Sequence, residues 1–223
     1  MHKTLLVIGS GPGIGFATAE RFAREGYRIV LSSRSIRNLQ AQALRLGAHG
    51  ASVTLVEADA GKPAQIHELV RRIAEQGPLT VLYNAGVLRY DDAGLLSTIA
   101  LGGHSVAELQ SDMNVNLTSA LLAVHAAAGA MAARGQGSIL LTGGGFGIDP
   151  APDFLPISVG KAGIRAIAKA MFAPLKEQGI HIGTVTVARL VSPGSDAADA
   201  VAQAFWDMES APPQAWTWEH TIA

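Results

Sequence analysis

A chain of 223 residues has the length of one α/β domain and no room for two full ones. Its 48% apolar and 16% charged residues supply a large core and exclude extended disorder, while 17 basic against 18 acidic side chains exclude a nucleic-acid or anionic-membrane footprint. Cysteine is absent, which excludes disulfides, thiolate metal sites and a cysteine nucleophile; a reducing, cytoplasmic setting is the simplest expectation.

The first apolar run, Leu5-Leu6-Val7-Ile8, reads as a buried strand, with no secretory leader expected before it. Residues 13–25 follow with Ile14, Ala17, Phe22 and Ala23 at helical spacing. A second strand is expected over 27–32, and a helix over 35–47 that Gly47 stops. A strand over 53–57, a helix over 63–76 ended by Gly77-Pro78, and a strand over 79–83 come next. Residues 86–104 are glycine-rich and aperiodic, so a loop is expected, and a long helix over 105–134 follows it. A fifth strand over 138–142 runs into a loop at Gly143-Gly144-Gly145; then come a helix over 157–178, a strand over 180–187, a helix over 196–209 and an edge strand within 216–222. Apolar strands alternating with helices predict one three-layer, Rossmann-type, doubly wound parallel sheet with helices on both faces, spanning residues 1–223. No uninterrupted apolar run reaches the ~18 residues of a membrane span. No His, Asp or Glu cluster has metal-ligand spacing, so no metal is expected.

Between the first strand and first helix stands Gly9-Ser10-Gly11-Pro12-Gly13-Ile14-Gly15. Glycines let a backbone approach a diphosphate, and the helix start offers free N–H groups and the positive end of a dipole. A bare tight turn does not need so many glycines. Dinucleotide folds that take NAD place an acid after the second strand for the ribose hydroxyl. Here Ser32-Ser33-Arg34-Ser35-Ile36-Arg37 stands in its place. A guanidinium pairs with a 2′-phosphate that a carboxylate would repel, so Ser33 and Arg34 predict NADP(H) rather than NAD(H); the plainer alternative is a pair of solvated arginines at a helix start. Asp59, with Ala60 beside it, is placed to accept from an adenine amino group, or else is simply an acid near a helix start.

These features resemble the short-chain dehydrogenase/reductase family over nearly the whole chain. The resemblance rests on Gly9, Gly13 and Gly15, on Asp59, on Asn84-Ala85-Gly86, on Asn116 in Val115-Asn116-Leu117, and on Lys161 in Gly160-Lys161-Ala162. It implies that Asn84-Ala85-Gly86 packs beside the cofactor, that Asn116 holds a proton-relay water, and that Lys161 hydrogen-bonds the nicotinamide ribose. It also implies a catalytic tyrosine four residues before the lysine and a serine about thirteen before that. Those positions are Ile157 and Gly144, and neither side chain transfers a proton.

Several residues are candidates to replace the lost acid. Ser158 is one position from the tyrosine site, with helix capping as its alternative. Tyr90 lies in the loop after Asn84-Ala85-Gly86, with surface packing as its alternative. Lys161 itself becomes an acid if desolvation lowers its pKa. His104 and Asp153 lie in loops on the same side and read as solvated loop residues. Ser192 falls where the family often has a threonine that meets the nicotinamide carboxamide. The expectation is an NADP(H)-dependent oxidoreductase acting on an unidentified small carbonyl or alcohol; the alternative is a non-catalytic NADP(H)-binding module with a sensing or scaffolding role. A homodimer or homotetramer paired through the helices at 105–134 and 157–178 is expected, with neither nucleic acid nor membrane as a partner.

Overall fold

The computed structural model describes residues 3–90 and 96–223; part of the loop expected over 86–104 therefore lies outside the described residues. The chain forms β1 (Thr4–Ile8), α1 (Ile14–Ala23), β2 (Arg28–Ser33), α2 (Gln40–Ala48), β3 (Val53–Glu57), α3 (Pro63–Ala74) and β4 (Leu79–Tyr83). It continues through α4 (Val106–Met113), α5 (Ser119–Ala132), β5 (Gly137–Gly144), α6 (Leu155–Lys176), β6 (Ile180–Val187), α7 (Asp196–Ser210) and β7 (Glu219–Ile222). The strands pair in parallel in the order β3-β2-β1-β4-β5-β6-β7.

A strand covered on both faces must be apolar throughout, and β1 shows why its run does not alternate. Leu6 and Ile8 join a core with α3, α5 and α6, while Leu5 and Val7 join a second core with α1, α2 and α7. This is the doubly wound α/β architecture expected from the sequence. The strand order reverses between β1 and β4. Such a reversal opens a crevice outside the carboxyl ends of the strands, where ligands of this architecture bind.

The long helix expected over 105–134 is interrupted. A π-helical turn, Asn114–Thr118, joins α4 to α5. Its cause lies on α6. A Cβ at Gly160 would stand 2.4 Å from Asn116 Cβ, and one at Gly163 would stand 2.5 Å from Leu117 Cδ1. Two glycines thus let α6 press onto the widened turn, which carries Asn116. The helical stretch Val106–Ala132 is long enough to span a membrane, and its most apolar 18 residues have a mean hydropathy of 1.4. Here Ala120, Ala123 and Ala127 bury its inner side against the sheet.

β5 also runs past its expected end. Gly143 and Gly144 pair with Thr186 and Val187 of β6 rather than opening a loop. A Cβ at Gly143 would lie 2.6 Å from Thr184 Oγ1, so these glycines serve close strand packing. α6 starts two residues before the expected 157, because Pro156 in its first turn removes an amide that has no helical partner there anyway.

At the far edge, the His181 ring on β6 stacks on Trp216, centroids 4.8 Å apart, and is buried. Its Nδ1 faces Met208 O at 3.0 Å and its Nε2 faces Thr217 O at 2.9 Å. Burial pushes its pKa below the ordinary value and outweighs the two carbonyls, which pull it up. The unfolded chain therefore binds this proton more readily, and stability falls as pH drops through the ordinary imidazole range near 6.5. The melting temperature is expected to fall between pH 7 and 5, and to fall less in His181→Gln. Parallel pH curves for the two proteins would contradict this.

Candidate functional site

The switch point brings the glycine loop against the end of β4. Gly9 has a φ of +82°, and a Cβ there would stand 2.6 Å from both the Cα and the N of Ala85. Gly15 would meet Asn84 Nδ2 at 3.0 Å. Gly11 and Gly13 differ in kind. Neither has a positive φ, and a Cβ at either would meet nothing within 4 Å. The fold itself does not require them, and they leave an open cradle. No side chain caps α1; Phe16 N donates to Gly11 O at 3.2 Å, which leaves the Ile14 and Gly15 amides for the cradle. A diphosphate fits there by charge and by space. Ile14 opens the helix, while the Ser10 hydroxyl turns inward and donates to Gln42 Oε1 at 2.7 Å.

A relay of hydrogen bonds runs from this loop across the sheet. Asn84 Nδ2 donates to Gly9 O at 2.9 Å, Thr142 Oγ1 donates to Asn84 Oδ1 at 2.9 Å, and Lys161 Nζ donates to Thr142 O at 2.6 Å. The Lys161 stem runs past Gly144, where a Cβ would lie 3.3 Å from Lys161 Cγ. Burial pushes the Lys161 ammonium down to a pKa of about 8. Asn116 Oδ1 accepts from Val87 N at 2.8 Å, and its Nδ2 is buried with no partner among the described residues. Around Gly86 these elements converge: the position of a Cβ there is 3.8 Å from each of Asn116 Oδ1, Lys161 Nζ and Ile157 Cδ1. An unpartnered amide and a desolvated ammonium face the end of the crevice, and both suit the hydroxyls of a nucleoside.

Toward β3, Arg34 is exposed and lines an open groove of about 570 Å3 with Asp59, Lys62 and Gln65. Glu57, Glu68 and Arg72 line it too, so acids and bases are balanced there. The Asp59 carboxylate accepts from Gly61 N at 2.9 Å, and Gln65 Oε1 accepts from Asp59 N, so this acid also shapes the turn into α3. Ser33 Oγ donates to Ser35 O at 2.7 Å. Ala60 is buried, and its carbonyl accepts from Ser119 Oγ at 2.6 Å, which ties the β3–α3 turn to α5.

The other candidates separate. Ser158 is fully buried; its hydroxyl donates to Phe154 O at 2.9 Å and accepts from Ala151 N at 3.2 Å, so its one proton is committed to the helix start. Tyr90 is 57% exposed and bridges to Leu96. Ser192 is exposed, and its carbonyl accepts from Ser195 Oγ. His104 differs from its reading as a solvated residue: both ring nitrogens are buried and without a partner among the described residues. The sequence reading also missed Thr142, whose only local signal is a hydroxyl at the end of an apolar strand.

A cradle at a helix start, set at the switch point of a parallel sheet and linked to a buried lysine two strands away, defines a Rossmann-type nucleotide-binding domain. The short chain dehydrogenase family model matches residues 3–200, and the chain belongs to that family. It is 30% identical over 191 residues to the oxidoreductase asL5 of Sarocladium schorii, a match covering 85% of this chain and 73% of that one. It is 28% identical over 183 residues to the dehydrogenase/reductase SDR family member 4 of Mus musculus, covering 81% of this chain but 63% of that protein. Among solved structures, a short-chain dehydrogenase from Rhodopseudomonas palustris superposes with a TM-score of 0.85 at 23% identity, covering 99% and 98% of the two chains. A metagenomic short-chain oxidoreductase in complex with NADP superposes with a TM-score of 0.86 at 22% identity, covering 99% and 96%.

Proposed function

We propose that the protein is an NADP(H)-dependent oxidoreductase that interconverts a small carbonyl compound and its alcohol, with Gly144 and Ile157 where the family resemblance puts the serine and tyrosine. The observation that carries this reading is the convergence of Lys161 Nζ, Asn116 Oδ1 and Ile157 Cδ1 beside Gly86. A fold neighbour solved with NADP supports the coenzyme class. When bound, a reduced nicotinamide supplies a hydride. The chain orients it. The cradle and the α1 amides hold the diphosphate, Lys161 reaches a ribose hydroxyl, and Asn116 offers its free amide. Ile157 keeps water from the reacting face, and Gly144 leaves space above the lysine stem. The reading extends to a cytoplasmic homodimer or homotetramer joined through α5 and α6, which leave Leu121 and Val159 exposed.

The test is NADPH oxidation with a broad carbonyl panel, followed by stereospecific transfer of deuterium from labelled NADPH to the product. Coenzyme binding without transfer to any member replaces this reading with the non-catalytic module. The choice of coenzyme has its own test. A bidentate arginine–phosphate pair is worth about 1.5–3 kcal/mol, or roughly 10- to 150-fold in affinity. Arg34→Glu is expected to weaken NADPH binding by at least that much and to leave NADH binding unchanged or stronger, as read by calorimetry. Equal loss for both coenzymes would show that Arg34 does not meet the 2′-phosphate.

A further inference from the structure

We infer that His104 gives and takes the proton of the substrate's oxygen, and that the cavity it shares with Ile157 receives that oxygen. This rests on the oxidoreductase reading above. The cavity holds about 20 Å3, the room of one water-sized group, and His104, Ile99, Phe154, Ile157, Arg89 and Asp112 all line it. Ile157 is the hinge of the argument. The same side chain touches the Gly86 corner beside Lys161 Nζ and walls the cavity of His104, so one residue separates the cavity from the reacting end of the crevice.

A buried polar group left without a partner costs about 1–3 kcal/mol. Both nitrogens of His104 carry that burden, so the fold does not use the ring as a strut. Two of the polar groups nearby are engaged elsewhere. Arg89 donates through Nη1 and Nη2 to the Asp112 carboxylate at 2.6 and 2.9 Å, and Ser158 caps its own helix. Among the described residues, the charged groups around the imidazole are Arg89 and Asp112, which neutralise each other, Asp153 from the turn before α6, and Glu108 from α4. Among the described residues Arg89 is held by Asp112, and the Asp153 carboxylate also lines the cavity, so an anionic substrate is repelled. Its apolar walls, Ile99, Phe154 and Ile157, select an uncharged aldehyde or ketone.

In reduction, a hydride from NADPH forms the new C–H bond as the carbonyl π pair moves onto oxygen. The oxygen takes the N–H proton of the His104 imidazolium, which leaves the alcohol, NADP+ and a neutral imidazole that solvent protonates again. Oxidation runs the same transfers backwards.

The experiment uses the whole chain with NADPH and hexanal, cyclohexanone or, as an anionic control, 2-oxoglutarate. The uncharged compounds are expected to react and the dianion to fail. His104→Gln is expected to lower kcat about 10²- to 10⁴-fold, the range of a positioned acid, with the NADPH dissociation constant unchanged. Wild-type reduction is expected to slow as pH rises, and the variant to lack that limb. Free imidazole is expected to restore part of the activity of His104→Ala. Independently of turnover, the His104 ring resonances are expected to move when NADP+ and cyclohexanol are added together and not with NADP+ alone; unmoved resonances overturn the inference even if a variant does not fold. An unchanged kcat and pH limb in His104→Gln overturns the inference. So does NADPH binding with no turnover of any carbonyl, which leaves the coenzyme reading standing. Failure to bind NADPH removes both.

Discussion

Gly9→Ala is expected to destabilise the domain by more than about 3 kcal/mol, whereas Gly13→Ala, a change at the N-cap of α1, costs only about 1 kcal/mol and weakens NADPH binding roughly 5- to 150-fold. The two glycines sit in one loop and look interchangeable in the sequence. Their surroundings separate them. At Gly9 an added methyl meets the Ala85 backbone at 2.6 Å and must also adopt a φ of +82°. Backbone atoms at that range do not move aside, and a left-handed alanine adds about 1–2 kcal/mol of its own. At Gly13 the methyl meets only open space, so the folded protein tolerates it until a diphosphate needs that space. Urea unfolding and NADPH titration of both variants check the pair. A Gly13→Ala protein that binds NADPH as tightly as wild type would dissolve the cradle argument.

The same distinction governs what could be read before the fold was known. The strand at 5–8 was legible because a parallel strand buried on both faces writes itself as an unbroken apolar run, and those at 53–57, 79–83 and 180–187 because they are rich in β-branched and apolar residues. The glycine loop was legible because its chemistry is local: strand, turn and helix start are consecutive. Features made by distant segments were not. Gly143 and Gly144 read as a loop because nothing near them reveals Thr184 and Thr186 on the neighbouring strand. The π turn at Asn114–Thr118 answers to Gly160 and Gly163, more than forty residues further on. Ser158 was attractive because it is one residue from Ile157. One residue on a helix is a rotation of about 100°, and that rotation points the hydroxyl inward to Phe154 O. His104 failed in the opposite sense. Its polarity and loop setting suggest solvation, and only the packing of Ile99, Phe154 and Ile157 around the same cavity shows its burial.

Lys161→Met is expected to make the protein more stable at neutral pH and less able to work. Burial holds the ammonium down to a pKa of about 8 in the folded protein, against about 10.4 in an unfolded chain. Between those values the unfolded state binds more of this proton than the native state does, so wild-type stability rises with pH across the window. Below it, at pH 7, the charged lysine is carried at a cost on the order of 3 kcal/mol, which an apolar side chain of similar length escapes. Methionine keeps the stem that packs against Gly144 but gives up the donor that reaches Thr142 O. That carbonyl regains access to other partners only if the strand end relaxes, so the net gain is expected to be smaller than the full desolvation term. The same change removes the charged donor proposed to hold the nicotinamide ribose, worth about 1.5–3 kcal/mol, so kcat/KM is expected to fall roughly 10- to 150-fold or more. Urea unfolding at pH 7 and pH 10 checks the first half: the stability advantage of the variant should shrink as pH rises. Steady-state kinetics check the second. A variant less stable than wild type at both pH values would mean that Lys161 is a structural tie. A gain in stability joined to a loss in activity identifies it as a charge that the fold tolerates for the sake of its ligand.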